Sequence, residues 1–128
     1  MTDAGVVSRL SPWSVDDTVA RLSAVARARE LQVFAIIDHG EEAERSGLRL
    51  RETKLVLLGD AEMWTAAIEA VPYAALDVPL RVVVWSDHEQ TTLSYVAPTE
   101  LALRYGLGEE FVGGVSLLKE IVEVVINR

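Results

Sequence analysis

Cysteine is absent, which excludes disulfides, thiolate metal sites and a cysteine nucleophile and fits a reducing compartment. No apolar run approaches the roughly 18 residues that a membrane span needs. The first residues, Met1-Thr2-Asp3-Ala4-Gly5, lack the basic and apolar stretches of a secretory leader. We therefore expect a cytoplasmic protein with no membrane partner. Positive charge is also in short supply: 12 Lys and Arg against 20 Asp and Glu leave a formal net charge of -8, so the average field repels phosphate backbones and argues against nucleic-acid binding. Arg21, Arg27 and Arg29 fall in one expected helix and Arg45, Arg49 and Arg51 in a loop, a scatter that suits solvated faces. There is no GxSxG elbow, no phosphate-cradling glycine loop and no HExxH, and no motif implies a cofactor. Glu41-Glu42 and Glu109-Glu110 read as solvated helix-start acids.

What is present is a chain of 128 residues without repeats or Gly/Ser linkers, read as a single α+β domain over 1–128. A short strand is expected near Val6–Leu10. Ser14 followed by Asp16 and Asp17 supplies an N-cap and first-turn acids. Val15, Val19, Leu22, Val25 and Ala26 then form one apolar stripe of a helix reaching about Glu30. Val33–Ile37, Leu55–Leu58, Leu80–Trp85 and Thr92–Val96 have strand character, the last two joined through the turn Asp87-His88-Glu89-Gln90. Glu41–Gly47 suits a helical turn, Ala61–Ala70 a helix ended by Pro72, and Thr99–Tyr105 a helix stopped by Gly106. A last helix is expected over about 111–127, with Gly113-Gly114 weakening its start and Lys119, Glu120 and Glu123 on its polar side.

Several stretches carry a resemblance. Ser14–Leu22, Val33-Phe34-Ala35-Ile36-Ile37-Asp38-His39, Gly47-Leu48-Arg49-Leu50-Arg51, Val78–Trp85 and Leu93-Ser94-Tyr95, in this order and spacing, resemble the bacterial family called domain of unknown function 302, over about residues 10–107. The resemblance implies a TATA-binding-protein-like fold: an antiparallel sheet of about five strands with helices packed mainly on one face. It implies no activity. The family pattern commonly reads Gly-Asn-Pro where this chain has Gly59-Asp60-Ala61. The fold's association with DNA is not carried over, because function lives in the site and this chain is acidic.

Strand alternation assigns two faces. Val33, Ala35, Ile37, Leu80, Val82, Val84, Leu93 and Tyr95 can sit beneath helices. Phe34, Ile36, Asp38, Arg81, Val83, Trp85, Thr92 and Ser94 fall opposite, with Val56 or Leu57 according to register. An antiparallel sheet covered on one side is ordinarily polar on the other, and this one is apolar on both. Three coverings are open: the last helix, an identical subunit, or a ligand. We expect the subunit first, which makes the chain a non-enzymatic binding or interaction module that homodimerises.

A small-molecule sensor would instead seat a ligand among Phe34, Arg81 and Trp85, with the indole stacking and the guanidinium holding an acid group. Ahead of the sensor, the main rival to the interaction module is a small enzyme using Asp38 and His39 as an acid-base pair. His39 and His88, the 2 histidines of the chain, each follow an aspartate just past a strand. If those strands run parallel with one strand between them, the two ends lie about 10 Å apart and the imidazoles could approach one metal with help from Glu41, Glu42 or Glu89.

Overall fold

Helix α1 (Val15–Ala28) starts where the sequence places its cap: the Ser14 hydroxyl accepts the Asp17 N-H, and Asp16 and Asp17 sit in the positive first turn. It stops two residues before the expected Glu30. Glu30 turns left-handed at φ 63°, and its N-H donates to the Arg27 carbonyl while the Leu31 N-H reaches back to Ala26. This paired return to the last turn closes the helix without the usual glycine.

The computed structural model describes residues 5–127. The leader expectation at Met1–Ala4 lies outside them. Five strands, β1 (Val6–Ser11), β2 (Gln32–Asp38), β3 (Thr53–Gly59), β4 (Leu80–Asp87) and β5 (Gln90–Val96), form one sheet in the order β1-β5-β4-β3-β2, antiparallel throughout. With it come α2 (His39–Arg45), α3 (Ala61–Ala70), a 3-10 turn (Pro72–Asp77), α4 (Pro98–Tyr105), α5 (Glu109–Val115) and α6 (Leu117–Ile126). The chain has the expected α+β architecture.

Helix α1 lies over β2, β3 and β4, and α6 packs beside α1 and over β1. The core forms between these layers from Val15, Leu22, Val56, Val82, Val84, Leu93, Ile121 and Val122. The Arg21 guanidinium lies 4.4 Å from the Trp13 ring centre, and its Nε donates to the Val125 carbonyl at 3.0 Å. The Trp13 indole N-H donates to the same carbonyl at 3.2 Å. The C-terminal end of α6, where carbonyls lack helical partners, is thereby tied to α1.

The single last helix expected over 111–127 is two. Gly114 brings α5 against the backbone of α3 at Met63, so α5 follows α3 while α6 turns at Ser116 to follow α1. Because α6 belongs to the same layer as α1, it does not shelter the second face of the sheet. Gly59 ends β3 at φ 134°, and a Cβ there would run into the Trp64 ring. Asp60 then caps α3 by accepting the Met63 N-H at 3.1 Å, so the Gly59-Asp60 turn serves to launch that helix.

The face assignment needs one correction. Val33 pairs with Leu58, but Ile36 pairs with Val56, so three steps along β2 match two along β3. The register shift at Phe34 is a bulge, and one extra residue exchanges the faces of everything beyond it. Ile36 and Asp38, expected beside Phe34 on the second face, pair with helix-side residues Val56 and Lys54. Ala35 and Ile37, expected beneath the helices, move to the open side with Leu57 and Leu55. Strand β4 alternates as expected: Val82 and Val84 are buried, whereas Arg81, Val83 and Trp85 lie opposite.

Candidate functional site

The end of the sheet where β2 finishes and β4 meets β5 carries most of the unusual chemistry. Asp38 closes β2 and at once caps α2, its carboxylate accepting the Glu41 N-H at 2.9 Å. Helix α2 ends at Gly47, left-handed at φ 74°, with the Gly47 N-H bonded to Glu44 and the Leu48 N-H to Ala43. Glycine suits this conformation because it lacks a Cβ. The return sets Leu48 beside Ala43 and directs the following loop back toward β3.

Between that loop, α2 and the sheet lies an open groove of about 530 Å³, lined chiefly by His39, Leu48, Leu50, Arg51, Thr53 and Trp85. Trp85 forms its floor. It is the cross-strand neighbour of Thr53 and Thr92, and its indole N-H donates to Ser94 Oγ at 3.1 Å. Ser94 Oγ in turn meets Ser8 Oγ at 2.8 Å, so the ring is laid down over β5 and buries Thr92 and Ser94. The Arg51 guanidinium stands 5.8 Å from the Trp85 ring centre and touches Asp87 Oδ1 at 3.4 Å. At the other rim, His39 Nδ1 lies 3.2 Å from Glu42 Oε1.

The expected site residues are thus distributed differently from any single pocket proposed from sequence. His39 and Trp85 share the groove. Phe34 does not line it: its ring packs against Trp64 with centroids 6.0 Å apart. Arg81 donates to the Leu76 carbonyl at 2.9 Å, close to the opposite end of β4. Arg51 takes the place beside Trp85 that was expected of Arg81, because three residues of strand lie between Arg81 and Trp85.

The acid-histidine steps fare similarly. Strands β2 and β4 both flank β3 antiparallel to it, so they run parallel with one strand between, the arrangement that a shared metal would need. Their side chains nevertheless end in separate pairings. His88 and Glu89 take left-handed φ values of 50° and 70° at the hairpin tip, a geometry that matches the twist of the two strands. His88 is 97% exposed there, with Asp87 at 3.6 Å. Among the described residues no group of three or more His, Cys, Asp or Glu side chains could hold a metal. Asp38 and His39 do not form a dyad either, since Asp38 is committed to the α2 cap and faces Lys54 at 3.9 Å, while His39 turns to Glu42.

Lys54 sits on the helix side, bridging Asp16 of α1 at 2.6 Å. The hydrogen bond to Asp16 is the main cause holding its ammonium above the ordinary lysine value, partly opposed by desolvation. Sequence reasoning missed Arg51 and the two leucines as site residues. The alternation Leu48-Arg49-Leu50-Arg51 was a usable signal, because two leucines in an otherwise polar loop need something to lie against.

Comparison with known proteins places this geometry in a family. Residues 7–126 match the family described as Domain of unknown function DUF302, which includes the C-terminal helices beyond the stretch where the motifs lie. The fluoride-specific ion channels FluC 1 of Brucella suis biovar 1 (strain 1330) and FluC 1 of Brucella abortus biovar 1 (strain 9-941) are each 34% identical over 107 residues. That stretch is 83% of this chain but 42% and 40% of those proteins, so the chain spans about two fifths of the length of the curated relatives it matches. The crystal structure of an uncharacterized conserved DUF302 protein from Bacillus stearothermophilus superposes with a TM-score of 0.80, over 95% of both chains, at 11% identity, a likeness of fold. With the family match running over almost every described residue and the fold shared with a solved member, this chain belongs to the DUF302 family, a domain of unknown function.

Proposed function

We propose that the chain is a non-enzymatic interaction module that pairs with a second copy of itself through the open face of its sheet. The observation that carries this is the apolar field of Leu55, Leu57 and Val83, bordered by Ile37, on the side away from α1 and α6. The helix that reaches this side, α2, meets β3 at the end of the sheet, and Phe34 remains 45% exposed. An antiparallel sheet with one face in water normally alternates to polar residues there. Arg81, paired with Leu57 on this face, donates to the Leu76 carbonyl toward the end of β4, which leaves Leu55 and Val83 for a contact in which the same patch meets itself about a two-fold axis.

The rival enzymatic role has less support, because Asp38 and His39 each serve a different neighbour. The Brucella relatives contain the matched stretch within proteins named as fluoride-specific ion channels. Among the described residues no helix is long and apolar enough to cross a membrane, so the channel role is not carried over. A module joined to further segments in those relatives agrees with an interaction role.

Light scattering at micromolar concentration tests the pairing. We expect twice the chain mass for the native protein and the single-chain mass for Val83→Asp, with the helix and strand content unchanged by circular dichroism. A native chain that runs singly would overturn the proposal.

A further inference from the structure

We propose that the groove floored by Trp85 is a binding site for an organic anion with a flat apolar body, such as an aromatic carboxylate or sulfonate. Its volume of about 530 Å³ falls within the usual span of small-molecule sites, and its composition matches them too: apolar walls with a few polar groups to fix orientation. Leu48 and Leu50 are 64% and 50% exposed, an unfavourable state for two leucines facing one hollow unless something lies against them. The indole N-H of Trp85 is already satisfied by Ser94, so the ring offers its flat face alone. A planar body can stack there.

Charge chooses the sign. Arg51 reaches the groove and makes one long contact of 3.4 Å, through Nη1, to Asp87. Its remaining guanidinium N-H groups have no acceptor among the described residues, and a forked donor of this kind binds carboxylates and sulfonates well. Of the carboxylates at the rim, Asp87 faces the Arg51 guanidinium at 3.4 Å, and Glu42 lies 3.2 Å from the His39 imidazole. The apolar body therefore supplies most of the attraction and Arg51 the selectivity. The site is also held in shape before any ligand arrives: Asp38 anchors the start of α2, the Gly47 return anchors its end, and Thr53 and Trp85 are fixed neighbours in the sheet.

The test uses anilinonaphthalene sulfonate as the anionic probe and phenylnaphthylamine, the same aromatic body without sulfonate, as the control. Binding is followed through the indole N-H resonances of the full chain, with the Trp85 signal assigned as the one lost in Trp85→Phe. We expect the sulfonate to shift that resonance saturably, leaving Trp13 and Trp64 in place. Arg51→Ala should weaken the sulfonate by about tenfold or more, as removal of a charge-assisted hydrogen bond does, without changing the affinity for the neutral control. Equal binding of both probes by the native chain, full sulfonate affinity in Arg51→Ala, or shifts confined to Trp13 and Trp64 would each overturn the proposal. The mass measured in the same titration separates this from self-association: Arg51-dependent binding by a single chain supports the site while removing only the dimer.

Discussion

In the middle of strands β3 and β4, the two faces of one sheet carry similar aliphatic residues and meet different fates. On one side Val56, Val82, Val84 and Leu93 are wholly buried beneath α1 and its neighbours. On the other, Leu55, Leu57 and Val83, one step along the same strands, are only half-buried. A β-strand offers its side chains to both sides without preference, so the difference comes from which helices close over which side. The covered face accounts for folding. The open face, with the groove at its end, is where binding is to be sought.

The contrast is sharpest in stability. Leu22→Ala opens a cavity in the covered core and should cost about 3 kcal/mol, whereas Leu57→Ala on the open face should cost about 1 kcal/mol or less in a single chain. Urea unfolding of both variants measures the difference. Equal losses would show the open face to be as tightly packed as the other, contrary to its surroundings here.

Alkaline titration gives a smaller effect specific to the covered side. Burial is the main cause raising the Tyr95 hydroxyl above its ordinary value, and the Asp16 hydrogen bond raises Lys54. Both groups hold their proton more firmly when folded, so their contribution is fully present at neutral pH and is lost as pH climbs past the ordinary tyrosine value of 10.0 toward the higher folded values. We expect the urea midpoint to stay level through neutrality and to fall above that point, less steeply in Tyr95→Phe. An unchanged slope in that variant would remove Tyr95 as a cause.

The smallest expected change is a gain. Glu30→Gly relieves a left-handed residue at the end of α1, the helix that covers the inner face, and should add about 0.5–1 kcal/mol. The same unfolding measurement detects it. A loss would mean that the Glu30 side chain contributes more than its backbone strain costs.

Much of this architecture could be read from short stretches of chain. Ser14 with its following acids announced α1, Gly106 ended α4, and Asp87-His88-Glu89-Gln90 made the hairpin turn, because each depends on a few adjacent residues. Phe34 shows where such reading stops. Nothing in Val33–Asp38 marks an extra residue, and the bulge exists only because β2 must keep step with β3 at both ends. The groove was legible in part. His39 and Trp85 stood out by residue type, but Arg51 is joined to Trp85 across 34 positions of sequence, by the pairing of Thr53 with Trp85.

Hydrophobic periodicity, caps and turn residues were enough to specify the kinds of element, their order and the presence of apolar side chains on both sides of the sheet, since all of these follow from contacts between near neighbours. Which strand edge carried a bulge, which side α6 would close, and which arginine would stand over Trp85 waited on packing between distant segments. Those outcomes depend on strand pairing and helix docking that the whole chain must satisfy at once, and no local pattern records them.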